Sequence, residues 1–203
     1  MNFKDLYKTL DKNKYYIFSY QDILAFYPDE KKDSLKALLC RWKAKGWIYS
    51  LKKGLYELIY PDDFNVPDMY IANKLYEPSY VSLETALSNY SIIPEVSMAV
   101  TSITTKPTRR FKNRHGLFVY RTVKPSAFSG YYLEKQGDFS IRVAEPEKAL
   151  IDFLYFKAWR DKKWTVDGER LDKDIILRLN KGKLSRYARL YNLDLKERLY
   201  AYL

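Results

Sequence analysis

The sequence predicts an α+β protein in two parts: a small N-terminal domain of helices closed by a hairpin, then a mixed α+β domain with a helical tail. Three observations lead there. Residues 19–59 read SYQDILAFYPDEKKDSLKALLCRWKAKGWIYSLKKGLYELI, two short amphipathic helices followed by two β-prone runs around a tight turn. Tyr60-Pro61-Asp62-Asp63 then punctuates the chain, with Pro67 and Pro78 beyond it. After these, β-branched runs flank turn-type residues before helical periodicity resumes.

The first helix is expected over residues 2–10. Asn2 can cap it, and Phe3, Leu6, Tyr7 and Leu10 recur at i, i+3, i+4 and i+7. Residues 11–18 form a polar link ending in the apolar run Tyr15-Tyr16-Ile17-Phe18. Ser19 and Asp22 make a capping-box-like start for a short helix carrying Ile23, Leu24 and Phe26. Tyr27-Pro28-Asp29 breaks it, because proline disfavours helix in the residue before it. A second helix is expected to start near Asp29, with Leu35, Leu38, Leu39 and Trp42 on one stripe. Asp29, Glu30 and Asp33 suit its positive end, and Arg41, Lys43 and Lys45 its negative end. Gly46 is placed to stop it in the left-handed conformation. WIYSL and LYELI then flank Lys52-Lys53-Gly54. Helix, turn, helix and a basic-tipped hairpin is the order of a winged helix-turn-helix domain, to which we assign residues 1–66.

Residues 67–203 make the second domain. The stretch to Pro78 reads as a linker with one short helix near Asp68 to Tyr76. Ser82 is expected to cap a helix with Leu83, Ala86, Leu87 and Tyr90 on one face. Met98 to Thr105 reads as a strand. Arg109 to Lys112 and Leu117 to Val123 form a hairpin around Asn113-Arg114-His115-Gly116. Tyr131 to Lys135 and Phe139 to Val143 form another around Gln136-Gly137-Asp138. Pro146 suits the first turn of a helix reaching about Trp159, apolar nearly all round and therefore a core element. The tail is expected to be helical over Leu171–Leu179, Ser185–Tyr191 and Leu195–Leu203.

Hydrophobic content of 47% with 30% charged residues marks a folded chain and not a disordered one. A formal charge of +11 favours polyanionic partners, nucleic acid before membrane. Residues 1–60 hold 12 basic and 7 acidic residues, net +5, and the remainder carries +6, so the charge is not confined to the first domain. The single cysteine, Cys40, excludes an internal disulfide framework and fits a reducing cytoplasm. No apolar run is long enough to span a bilayer, and MNFKDLYKTL lacks the apolar core of a signal peptide, so no membrane partner is expected.

The candidate DNA contacts are Lys32, Ser34, Lys36, Ala37, Arg41, Lys52 and Lys53. Small residues on the outward face of the second helix, Ala37, Cys40 and Ala44, can approach a groove floor while flanking cations reach phosphates. The same stretch also fits a small helical interaction fold without DNA. The densest basic cluster elsewhere is Arg109, Arg110, Lys112 and Arg114 with His115. It reads as a partner-binding surface, a second DNA contact, a site that competes for a partner's nucleic-acid substrate, or a solvated hairpin tip.

No catalytic set, metal site or cofactor motif stands out. Zinc requires about four His, Cys or acidic ligands, and the chain has one His and one Cys, far apart. Neither a GxxxxGK loop nor a GxGxxG turn occurs. Asp138, Glu145, Glu147 and Asp152 with Lys148 could be read as a nuclease-like metal site, the enzyme alternative. The plainer reading puts Glu145 and Glu147 at a helix start, and pairs Lys148 with Asp152 at i, i+4 on the surface.

Five stretches in order, GWIYSLKKGLYEL, YVSLETALSNYSIIPE, VTSITTKPTRRF, GLFVYRTV and VAEPEKALIDFLYF, carry a resemblance. Together they resemble the AbiE-type antitoxin and transcriptional-regulator family of type IV toxin–antitoxin, abortive-infection systems, over about residues 3–160. The resemblance implies an N-terminal domain that binds inverted repeats in its own promoter and represses the operon. It implies a C-terminal domain that counters a nucleotidyltransferase-like toxin. The tail beyond Trp159 matches no motif of the family. A stand-alone regulator without a toxin is the other non-enzymatic reading.

Overall fold

In the computed structural model, which describes residues 1–60, 65–161, 164–195 and 199, the α+β chain divides into two units, Met1–Pro67 and Asp68–Leu203. In the first unit, α1 (Phe3–Lys12) starts where the Asn2 side chain accepts the Asp5 N–H at 2.9 Å. It buries Phe3, Leu6 and Leu10. At the start of α2 (Tyr20–Phe26) both halves of the capping box form: Ser19 N–H donates to Asp22 at 2.6 Å, and Asp22 N–H to the Ser19 hydroxyl at 3.2 Å.

The next helix, α3 (Lys32–Ala44), begins three residues later than the sequence suggests. Pro28 stands at the second position of a turn closed by Glu30 N–H donating to Tyr27 O at 3.2 Å. Asp29 and Glu30 therefore belong to that turn, and Asp33 alone is acidic in the first turn of α3. Gly46, at φ +71, ends it as expected. Gly46 N–H reaches Lys43 O and Trp47 N–H reaches Trp42 O, both at 3.0 Å, the paired bonds of a Schellman ending.

Strands β2 (Ile48–Lys52) and β3 (Leu55–Leu58) form the expected hairpin. A third strand, β1 (Ile17–Ser19), lies within the run read as the end of a link. The sheet order is β1-β3-β2, all antiparallel. Leu6, Leu10, Phe18, Ile23, Leu35 and Leu58 are sealed between sheet and helices.

The second unit is built on a six-stranded sheet of order β6-β7-β5-β4-β9-β8. The strands are β4 (Ser79–Val81), β5 (Ala99–Thr104), β6 (Arg109–Asn113), β7 (Gly116–Thr122), β8 (Tyr131–Gln136) and β9 (Phe139–Ala144). Pairs β4–β9 and β5–β7 are parallel and the others antiparallel. Both expected hairpins form. Strand β4, missed from sequence, sits in the middle of the sheet.

Helix α4 (Asp68–Leu75) forms where the sequence suggests, but as part of the core and not of a linker. It buries Ile71, Ala72 and Leu75, and Tyr120 OH donates to Ala72 O at 2.6 Å. Asn73 accepts the Arg142 N–H at 2.6 Å. The prolines on either side bound a core helix; they do not loosen it. Helices α5 (Leu83–Asn89) and α6 (Pro146–Arg160) pack together, and α8 (Lys181–Tyr191) packs on α6. Helix α7 spans Lys173–Arg178, inside the expected range. Asn180 caps α8, accepting from Lys183 N–H at 3.0 Å, so α8 starts ahead of the expected Ser185. The helix expected over Leu195–Leu203 lies almost wholly outside the described residues.

Candidate nucleic-acid interface

Helix α3 turns Leu35, Leu39 and Trp42 inward and leaves Lys32, Ser34, Lys36, Ala37, Cys40, Arg41 and Ala44 exposed. At 100° per residue, Asp33 in the first turn and then Ala37, Cys40 and Ala44 run down the middle of the exposed face. Lys32, Lys36 and Lys43 lie on one flank, and Ser34 and Arg41 on the other. Lys36 is held at 3.1 Å by Asp33, but both side chains are more than half exposed, at 64% and 94%. So open an ion pair is worth well under about 1 kcal/mol, and a phosphate can displace the carboxylate. Lys32 Nζ sits 5.5 Å from the Tyr20 ring centre.

Arg41 also lines an aromatic cleft of about 810 Å³ with Lys4, Lys8 and Lys45. Phe3, Trp42 and Trp47 make its wall: Phe3 is 5.4 Å from Trp42 and 4.6 Å from Trp47, ring centre to ring centre. Four cations thus stand along the side where α1 meets α3.

The hairpin separates its two lysines. Lys53, exposed beside Gly54 at φ +80, occupies the tip. Lys52 is half-buried and paired with Leu55, after a bulge between Ser50 and Lys52. The sequence placed both in the turn; the two-residue turn has room for Lys53 alone.

In the second unit, the basic cluster lies on edge strand β6 and its turn. Strand alternation divides it. Arg109 pairs with Tyr120 and Phe111 with Phe118, on the face covered by α4, where Arg109 lies 5.7 Å from the Tyr76 ring. Arg110 pairs with Val119 and Lys112 with Leu117 on the opposite face. Arg114 is at the tip, its Nε donating to His115 Nε2 at 3.2 Å. The four cations therefore form no single surface, as the hairpin alone had suggested.

No protein-family model and no curated protein matches the chain.

The five residues weighed as a nuclease-like set are dispersed. Asp138 is exposed in the β8–β9 turn. Glu145 accepts from Tyr187 OH at 2.7 Å and pairs with Lys183 at 3.0 Å, and these partners hold its carboxyl below the usual range although burial opposes them. Glu147 accepts the Asn180 N–H at 2.9 Å. Among the described residues no three His, Cys, Asp or Glu side chains are grouped to hold a metal ion.

Lys148 and Asp152 do pair, but not on the surface: both side chains are fully buried. Asp152 also accepts from Ser82 Oγ at 2.8 Å, Tyr80 OH at 3.1 Å and Tyr191 OH at 2.5 Å. Burial pushes the Lys148 ammonium below its ordinary pKa, against the pull of Asp152. Burial, with the Asp152 charge added, pushes Tyr80 and Tyr191 well above theirs. The i, i+4 spacing fixed a shared helix face; it could not say that the face points into the sheet.

The same network changes the role of Ser82. It occupies the N-cap of α5, yet its hydroxyl serves Asp152 and makes no cap bond. Thr101 of β5 takes over, its Oγ1 accepting the Thr85 N–H at 3.2 Å and donating to Ser82 O at 2.7 Å.

Proposed function

We propose that residues 1–67 are a winged helix-turn-helix DNA reader, with α3 entering the major groove and the β2–β3 hairpin as its wing. The observation that carries the reading is the exposed face of α3: below Asp33 of its first turn, which pairs with Lys36, a central row of small residues flanked by Lys32, Lys36 and Lys43 on one side and Arg41 on the other. A side chain no larger than cysteine lets a helix approach base edges while its flanks meet both phosphate backbones. Lys53 adds a phosphate contact from the wing tip. Lys52, half-buried in its strand, is better suited to holding the hairpin than to touching DNA.

The whole chain is then a DNA-binding repressor and antitoxin of a type IV toxin–antitoxin pair. It would act in the cytoplasm on inverted repeats of its own promoter and counter a nucleotidyltransferase-like toxin through its second unit. The ordered resemblance over residues 3–160 supports this part of the reading. So does the +6 charge of residues 61–203. No cofactor is part of the proposal. Among the described residues no helix is long and apolar enough to cross a membrane.

One strain tests both roles: a reporter under the native promoter, and the neighbouring gene under an inducible one. The expected result is repression by the full chain and growth restored when the neighbour is toxic. An unrepressed reporter overturns the reader. Repression with no rescue from a toxic neighbour leaves a regulator and overturns the antitoxin role.

A further inference from the structure

On the sheet face away from α4, a cleft of about 370 Å³ opens between strands β5, β7 and β6 and helices α5 and α6. Three arginines line it: Arg110 of β6, Arg121 of β7 and Arg160 in the last turn of α6. None of the three has a carboxylate partner among the described residues. Lys157, also in the wall, is neutralised by Glu169 at 2.8 Å. The single acid of the lining is Glu84.

Strand register makes the arrangement costly without an anion. Arg110 stands opposite Val119, and Arg121 is two residues along from Val119 on the same face. That diagonal relation puts the two residues roughly 7–8 Å apart, within reach of each other's long side chains. Like charges so placed repel, and neither arginine is ion-paired among the described residues. Arg160 has an ordinary account, since a cation in the last turn complements the helix dipole. Arg110 and Arg121 do not.

The floor is apolar. It is made of Leu117, Val119 and Phe153, with the half-buried ring of Phe156 beside them. Met98 at the rim is 99% exposed. Backbone strain marks the same place: Leu83, which lines the cleft, has φ +58, a region that non-glycine residues seldom occupy. Such strain gathers at ligand sites.

We propose that this cleft binds a nucleotide, its phosphates held by Arg110, Arg121 and Arg160 and its base lying against Phe156 and Leu117. The volume is that of a small-ligand site, and a phosphate alone would leave the apolar floor uncovered. Guanidinium groups suit phosphate oxygens, each able to donate two parallel hydrogen bonds. Glu84 can accept from an exocyclic amino group. The nucleotide is either free or the phosphorylated end of a strand; the chemistry is shared. The inference is independent of the DNA reading, because every residue in it belongs to the second unit.

Calorimetric titration of the full chain with ATP, tripolyphosphate, adenosine and the 5′-phosphorylated dinucleotide pApA tests it. ATP is expected to bind at sub-millimolar concentration, and adenosine and tripolyphosphate each about tenfold more weakly or worse. If pApA binds more tightly than ATP, a strand end is the source; if less tightly, a free nucleotide is. Arg110→Ala with Arg121→Ala should weaken ATP about a hundredfold at unchanged melting temperature, one decade for each charge-assisted contact. Should that double variant fail to fold, Arg160→Ala on its exposed turn must weaken ATP about tenfold. No binding of ATP or pApA overturns the proposal, as does tripolyphosphate binding as tightly as ATP, or affinity that survives the substitutions.

Discussion

Asp152 accepts four donors in a place closed to water: Lys148, Tyr80, Ser82 and Tyr191. A buried ion pair gives little net stability, because desolvating both charges offsets their attraction, but removing one partner strands the other. Lys148→Met is therefore expected to cost about 3–5 kcal/mol. Lys148→Met with Asp152→Asn should cost less than Lys148→Met alone, since the amide still accepts from the hydroxyls and carries no charge. Urea denaturation of the unaltered protein, Lys148→Met, Asp152→Asn and the double variant measures this. A double variant as unstable as the sum of its single changes would mean that the pair is not coupled as described. The i, i+4 spacing gives the pair but not its burial. Its burial is decided by Tyr80, Ser82 and Tyr191, which lie 72, 70 and 39 residues from Asp152. No local pattern carries that information.

Among the elements, those with several turns of clear periodicity were legible. Helices α1 and α6 and the two hairpins of the second unit sit where spacing, caps and turn residues put them, within a few residues. Strands β1 and β4 escaped because three residues are too few for alternation to register. Helix α4 was legible to within a residue, and only its place in the core was disguised by the prolines that flank it, although Ile71, Ala72 and Leu75 carried a burial signal. At the basic hairpin the composition is plain, but composition is blind to the period-two alternation that sends Arg109 and Arg110 to opposite faces. The exposed face of α3 was fully legible, and it makes a claim about one helix alone. Ala37→Glu would place a second carboxylate in the centre of that face, one turn below Asp33. It should change stability by no more than about 0.5 kcal/mol, as exposed substitutions do. It should weaken DNA binding at least tenfold through repulsion of the phosphates. Intact affinity in a mobility-shift assay would take α3 out of the interface.

At the scale of the whole molecule, positive charge is spread over both units, so a basic protein could bind DNA without any specific surface. The proposed DNA reader is narrower than that, because its phosphate contacts belong to named side chains. Arg41 and Lys53 are exposed and sit on different elements of the first unit. Lys52 stands apart, half-buried in its strand. The slope of binding affinity against salt counts such contacts, at close to one unit for each phosphate neutralised. The most direct measurement is that slope for the full chain on DNA from its own promoter, taken alongside the Arg41→Ala, Lys53→Ala double variant. The expected result is tight binding at low salt, a slope of several units, and a reduction of about two units in the variant. Absence of binding at low salt, or a slope that the variant leaves unchanged, would contradict the assignment of α3 and the hairpin as the DNA-reading surface.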